Sequence, residues 1–283
     1  QMDGWTIVTV EGLQGDDGVL DPVQNAMAQG DGTQCGFCTP GFIMALYALR
    51  QGDEAITDGV IHDALAGNLC RCTGYRPIVE AARKACGGAR DDRYGSVTDI
   101  AASSLYLSGG QSFYAPGSLA DLADIFTDHP DAYLLAGGTD LGILVSKERR
   151  PLETIISTMR VPELSRIAET DGMIEFGAAV TYSRALPLIE ELYPSFAALI
   201  TRIGSRQIRN SGTIGGNVGN ASPIGDTPPC LIALDATLVL HSQAGERELP
   251  IENFFLDYRK TDLKPGEFIK AIRIPKLRDG QYF

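Results

Sequence analysis

Four of the six cysteines stand in two tight pairs, Cys35-x2-Cys38 and Cys70-x-Cys72, with 31 residues between the pairs. Four thiolates so placed can hold a tetrahedral zinc ion or an iron–sulfur cluster. The C-x-C pair is tighter than the knuckles of common zinc ribbons. Each pair runs toward an expected helix start, Cys38-Thr39-Pro40-Gly41 on one arm and Cys72-Thr73-Gly74-Tyr75 on the other. Helix starts offer unpaired N–H groups and partial positive charge, which favour an anionic cluster. Gly36, Gly41, Gly67 and Gly74 surround the cysteines and are expected to let backbone approach sulfur closely. Cys86 and Cys230 lie outside the pattern, and burial accounts for both.

A second chemistry is suggested by two glycine-rich stretches. One runs Leu134-Leu135-Ala136-Gly137-Gly138-Thr139-Asp140-Leu141, directly after a short apolar run. The other runs from Asn210 through Thr213, Ile214, Gly215, Gly216 and Asn217 to Asp226. Neither contains G-x-G-x-x-G, so a Rossmann dinucleotide site is not indicated. Two such stretches in one region can cradle a pyrophosphate on backbone N–H groups, with Thr139, Thr213 and Asn217 as added donors.

These residues must be positioned by two kinds of scaffold. Residues 21–86 predict four short helices, entered at Asp21-Pro22, Thr39-Pro40, Thr57-Asp58 and near Pro77, each closed by a glycine. A small bundle is the expected result. Residues 113–283 mix the two periods. Strands are expected at Tyr133–Ala136, Thr154–Ser157, Met173–Ala178, Thr237–His241 and Phe268–Ile274. Helices are expected after Ser118, over Thr181–Leu192 and over Ser195–Ile203. The expected organisation is α+β and multidomain: 1–13 as the last strand of an upstream domain, 14–88 helical, 89–112 a Gly/Ser/Asp-rich linker, and 113–283 mixed α/β. The first residue is Gln1 and the last is Phe283, just past a strand-like stretch, so truncation at both ends is expected.

Composition narrows the function. With 24 Lys and Arg against 36 Asp and Glu, the net charge is −12, which disfavours nucleic acid or an anionic membrane as partner. The longest apolar run, Phe42 to Leu49, is too short to span a bilayer. No secretory leader is visible, and the paired cysteines read as a metal or redox site rather than a disulfide scaffold, which places the chain in the cytoplasm. His62, His129 and His241 belong to no nucleophile motif, and no hydrolase elbow, P-loop or zincin motif occurs. Arg202, Arg206 and Arg209 form a basic run before the second glycine stretch; a solvated helix face is the expected reading, with steering of an anionic cofactor as the alternative.

QCGFCTPGFIMALYAL together with GNLCRCTGYRPI closely resembles the second [2Fe-2S] domain of the molybdenum hydroxylases, the family of xanthine dehydrogenase and aldehyde oxidase. YLLAGGTDLGILV and RNSGTIGGNVGNASPIGDTPPCLIALDA are similar to the signature stretches of the flavin domain in the same enzymes. The resemblance implies that Cys35, Cys38, Cys70 and Cys72 are iron ligands. It implies that residues Leu134 to Leu141 line the FAD pyrophosphate and ribose, that Thr213, Ile214, Gly215, Gly216 and Asn217 hold the phosphates, and that Asp226 binds toward the adenosine ribose. Ile269 would contact the isoalloxazine edge. Ile203 stands where animal relatives carry a phenylalanine beside the flavin, a departure that removes a stacking ring. Tyr258 and Arg259 fall where the family approaches the nicotinamide, and a family lysine would fall beyond Phe283.

By the same resemblance the flavin domain has the fold of the molybdenum-hydroxylase, PCMH-like type. The chain would be the iron–sulfur and FAD portion of a xanthine dehydrogenase-like oxidoreductase in purine catabolism. Electrons would come from a molybdenum–pterin centre on a large partner subunit, in a heterodimer that itself pairs, and pass by the cluster and FAD to NAD+ or dioxygen. The alternatives are an aldehyde oxidase-type or other molybdenum hydroxylase, and a zinc-pinned binding module without catalysis.

Overall fold

The computed structural model describes residues 7–15, 17–90, 92–94, 104–170, 172–278 and 280–281. The chain divides into two compact units, Gln1–Ile100 with Gly204–Gln207, and Ala101–Ile203 with Ile208–Phe283.

The first unit is built on four helices, α1 (Pro22–Gln29), α2 (Thr39–Gln51), α3 (Asp58–Leu65) and α4 (Arg76–Ala85). Their apolar positions recur at helical spacing: Val23 and Met27, Phe42 and Leu46, Ile61 and Leu65, Ile78 and Ala82. These side chains are buried together in one core with Leu13. The helix starts are chemically specified. Asp21 Oδ1 accepts from Val23 N at 2.8 Å while Gln24 Oε1 accepts from Asp21 N at 2.9 Å, a reciprocal cap. The Thr57 side chain caps α3.

Asp21 has a second task. Its Oδ2 accepts from Arg50 Nη1 at 3.0 Å, with the two side chains only 1% and 9% exposed, and Arg50 Nε has no hydrogen-bond partner among the described residues. Asp21→Asn keeps the cap but leaves the buried guanidinium facing a neutral amide. We expect a loss of about 2 kcal/mol, because a buried charge left without its counterion costs more than the pair contributes. Urea unfolding followed by helical circular dichroism measures it; an unchanged midpoint would show the pair to be dispensable.

The second unit contains β1 (Ser104–Ser108), β2 (Gln111–Ala115), α5 (Leu119–Asp128), β3 (Tyr133–Leu135), α6 (Leu141–Ser146), β4 (Thr154–Ser157), β5 (Ile167–Glu169), β6 (Met173–Gly177), α7 (Tyr182–Leu192), α8 (Pro194–Ile200), α9 (Arg206–Ser211), α10 (Ile214–Gly219), α11 (Thr227–Ala233), β7 (Thr237–Ser242), β8 (Gly245–Pro250), β9 (Phe255–Asp257), β10 (Lys260–Thr261) and β11 (Phe268–Pro275). The first two residues of α9 are the exception: Arg206 and Gln207 count with the first unit. One sheet has the order β1-β2-β4-β3, with β4 parallel to both β2 and β3. A second, antiparallel sheet has the order β5-β6-β11-β7-β8, and β9 pairs with β10. The main core joins Phe176, Ile272, Leu238 and Leu240 of the larger sheet to Tyr193, Phe196, Ile214, Val218 and Leu231 of the helices. A smaller core forms around Leu122, Ile156, Leu164 and Phe268. Among the described residues no helix is long and apolar enough to cross a membrane.

Three sequence expectations change. The strand expected over Trp5–Leu13 is replaced, in its described part, by extended chain and a single 3-10 turn at Val10–Leu13, where Leu13 turns into the helical core. Trp5 and Thr6 lie outside the described residues. The expected linker 89–112 contains β1 and the start of β2, while its residues 91 and 95–103 lie outside the described residues. Gly109 and Gly110 both have positive φ, 58° and 82°, which is what a two-residue hairpin turn demands. Finally, the second glycine-rich stretch, for which no helix is expected from sequence, is helical in part. Thr213 Oγ1 accepts from Gly216 N at 3.0 Å, and Ile214–Gly219 winds into helix α10.

Candidate cofactor sites

The cysteine arms sit at helix entries of the first unit. Cys38 is the residue immediately before α2, and Cys70 and Cys72 precede α4, which begins at Arg76. Gly36 and Gly74 take φ of 82° and 69°, so these two glycines supply a left-handed turn in each arm, which is their use here in place of the close sulfur approach expected for them. Gly41 instead faces the Asn68 side chain. The thiols influence one another two by two, Cys35 with Cys72 and Cys38 with Cys70. Donors surround them. Thr73 N donates to Cys70 Sγ at 3.4 Å, and Thr73 Oγ1 lies 3.2 Å from the same sulfur. The Thr73 hydroxyl, then the N–H groups of Thr73 and Cys72, bring the Cys70 thiol down to about 7. The N–H of Phe37 lowers Cys35, while burial pushes Cys38 up and the bond to Cys35 pushes Cys72 up. Among the described residues no group of three or more His, Cys, Asp and Glu side chains gathers as around a single metal ion. Two pairs of thiols with N–H donors on sulfur suit a two-iron cluster, in which each iron takes two thiolates.

The second unit holds a cavity of about 500 Å3. Of the residues expected from sequence, Leu134, Ala136, Gly137, Gly138, Thr139, Asp140, Leu141, Ile203, Thr213, Gly215, Gly216, Asn217 and Ile269 line it. Three do not. Leu135 alternates with Leu134 along β3 and faces away. Ile214 is fully buried in the main core, its N–H given to Val180 O at 3.1 Å. Asp226 is exposed at the entry to α11. The sequence reading missed Thr158, Leu164, Ala178, Tyr182, Leu263 and Phe268, which complete an apolar wall. Their inward direction is set by sheet and helix packing, which residue type alone does not report.

Backbone contacts set the polar rim. A Cβ on Gly137 would lie 1.7 Å from Ser211 O, and one on Gly215 would lie 2.5 Å from Ala178 Cβ. Tyr182 N donates to Gly212 O at 3.0 Å. The two glycine stretches thus approach each other main chain to main chain, and the second is hydrogen-bonded to the segment that leads from β6 into α7. The N–H groups of Gly137, Gly138, Thr139 and Asp140 make no hydrogen bond to a described residue. A row of free amide donors beside an apolar wall fits a ligand with an anionic group and a flat apolar ring. Of the arginine run only Arg202 is exposed as the solvated reading expects. Arg209 is buried and donates to Thr201 O and Ile203 O at 3.1 and 3.2 Å, and Arg206 pairs with Glu54 and Asp63 at 2.6 and 2.9 Å.

Residues 9–83 match the family model described as a [2Fe-2S] binding domain, and residues 108–277 match the FAD binding domain in molybdopterin dehydrogenase. The chain belongs to the molybdopterin dehydrogenase family. It is 31% identical to xanthine dehydrogenase 1 of Arabidopsis thaliana and 31% identical to aldehyde oxidase 2 of Macaca fascicularis, each alignment covering 99% of this chain. The chain spans about a quarter of those relatives, 26% and 25% of their length. Among solved structures, quinoline 2-oxidoreductase from Pseudomonas putida 86 superposes with a TM-score of 0.55 at 29% identity, covering 58% of each chain. The carbon monoxide dehydrogenase of Hydrogenophaga pseudoflava superposes at 0.56 and 31% identity, covering 59% of this chain and 60% of that one. The molybdopterin dehydrogenase chain described here thus combines a [2Fe-2S] domain with an FAD-binding domain, as in the xanthine dehydrogenases and aldehyde oxidases.

Proposed function

We propose that this chain is the electron-transfer portion of a xanthine dehydrogenase-like enzyme, working with a molybdenum–pterin subunit in the cytoplasm and delivering to NAD+. The observation that carries the reading is the presence of both features in one chain, two facing pairs of cysteines and an apolar cavity with free amide donors. When bound, a [2Fe-2S] cluster supplies one-electron exchange, and FAD converts single electrons into hydride chemistry. Cys35, Cys38, Cys70 and Cys72 would hold the iron. The N–H of Thr73 and its hydroxyl would offset negative charge on the Cys70 sulfur. The amides of Gly137 to Asp140, with Thr213 and Asn217, would orient the flavin phosphates, and Leu134, Ile203, Phe268 and Ile269 would exclude water from the ring. The partner would form a heterodimer with this chain that itself pairs.

Analysis of the purified chain for iron, acid-labile sulfide and flavin tests this reading. Two irons and two sulfides per chain, one FAD, and a paramagnetic signal after dithionite are the expected result. One zinc, no labile sulfide and no flavin would overturn it. Bleaching of the flavin by NADH decides the acceptor.

A further inference from the structure

Asn217 lines the cavity from helix α10, and its side chain is held from behind. Thr227, fully buried at the first position of α11, donates its hydroxyl hydrogen to Asn217 Oδ1. The orientation of a terminal amide is set by the hydrogen bonds it makes. With its oxygen engaged by Thr227, the amide has only its nitrogen to offer, and Asn217 Nδ2 has no acceptor among the described residues. Tyr182 closes the arrangement. Its ring lines the cavity, while its hydroxyl is buried and makes no hydrogen bond to a described residue. Burial first, then the charge of Asp226, pushes this phenol up to about 12, against a lowering influence of the Thr227 hydroxyl. The phenol therefore keeps its proton.

We propose that Thr227 is a positioning residue that fixes the Asn217 amide with both N–H groups toward the cavity, where they bind the diphosphate of a flavin nucleotide. The inference rests on the reading of this cavity as an FAD site. Thr227 itself touches no ligand. Its contribution is to prevent the amide from turning its oxygen toward an anion.

The test uses the full chain stripped of flavin and titrated with FAD, read by quenching of flavin fluorescence. Thr227→Val preserves shape and removes the hydroxyl; FAD affinity should fall about five- to tenfold, the scale of one neutral hydrogen bond. Thr227→Ser should restore it to within about twofold. In an Asn217→Ala background the valine change should add nothing, because the group it orients is gone. Riboflavin, which lacks the diphosphate, should bind all variants alike. Thermal unfolding shows whether each variant is folded, and Thr227→Ala serves if valine is not tolerated. Equal FAD affinity in wild type and the valine or alanine variant overturns the inference alone. So does serine without rescue, or a full effect in the Asn217→Ala background. A wild-type chain that takes up no FAD overturns the reading of the cavity, and this inference with it.

Discussion

Cys70→Ser removes iron, labile sulfide and the visible cluster absorption entirely, while the FAD content per chain stays at the wild-type level. That outcome follows from how Cys70 is held. Its sulfur takes both the N–H and the hydroxyl of Thr73, and its thiol alone among the four is brought down to about 7. It is the thiol nearest to ionising at neutral pH, and a thiolate is the form that binds iron. A serine hydroxyl ionises far higher and is a harder ligand, so the site loses one of its four sulfurs. Flavin is retained because every residue lining the cavity, from Leu134 to Ile269, belongs to the second unit. Cys86→Ser is the matched control. That thiol is buried, donates to Leu46 O at 3.5 Å and is pushed up to about 11 by burial, so it stays neutral and outside the cluster. Iron and sulfide measured beside flavin on both variants decide the matter; a Cys70→Ser protein with a full cluster would remove Cys70 from the ligand set.

The parts of this molecule that were legible in sequence are those whose information is local. Asp21 with Gln24, Thr57, Ser118 and Thr181 are side-chain caps, and each marks a helix start that the structure contains. The paired cysteines were legible because their spacing itself is the signal. What was hidden depends on distant chain. Helix α10 has three glycines in six residues, IGGNVG, and its intrinsic propensity is poor. It forms because Ile214 and Val218 are fully buried against the sheet and Thr213 caps the first turn. Gly215 must remain glycine there because Ala178, 37 positions earlier, lies against it. The β1–β2 hairpin is hidden in the sequence for a different reason. Ser-Gly-Gly-Gln reads equally as linker and as a tight turn, and only the pairing of Tyr106 with Phe113 separates the two. Thr227 looks like an ordinary core residue until its bond to the cavity-lining Asn217 is seen.

Gly137→Ala is the converse experiment: flavin should be lost and the cluster kept. The added methyl would sit 1.7 Å from Ser211 O, 2.3 Å from Ser211 C and 2.9 Å from Gly212 N. All three are main-chain atoms, so no side-chain rotation relieves the clash. The backbone of 136–140 must part from that of 211–213, and both stretches line the cavity. Separation breaks the row of amide donors and moves Thr213 relative to Thr139. We expect FAD affinity to fall at least about a hundredfold, since several hydrogen bonds of about 1 kcal/mol each are displaced together. The same change five residues on has the opposite sign. A Cβ at Gly142, in α6, meets nothing within 4 Å, and alanine there should stabilise the helix by about 0.5–1 kcal/mol without touching flavin binding. Flavin fluorescence titration and thermal unfolding of the two variants, side by side, separate a local clash from a general intolerance of substitution in this segment. If Gly137→Ala binds FAD as wild type does, the close approach of the two stretches is not what forms the phosphate cradle.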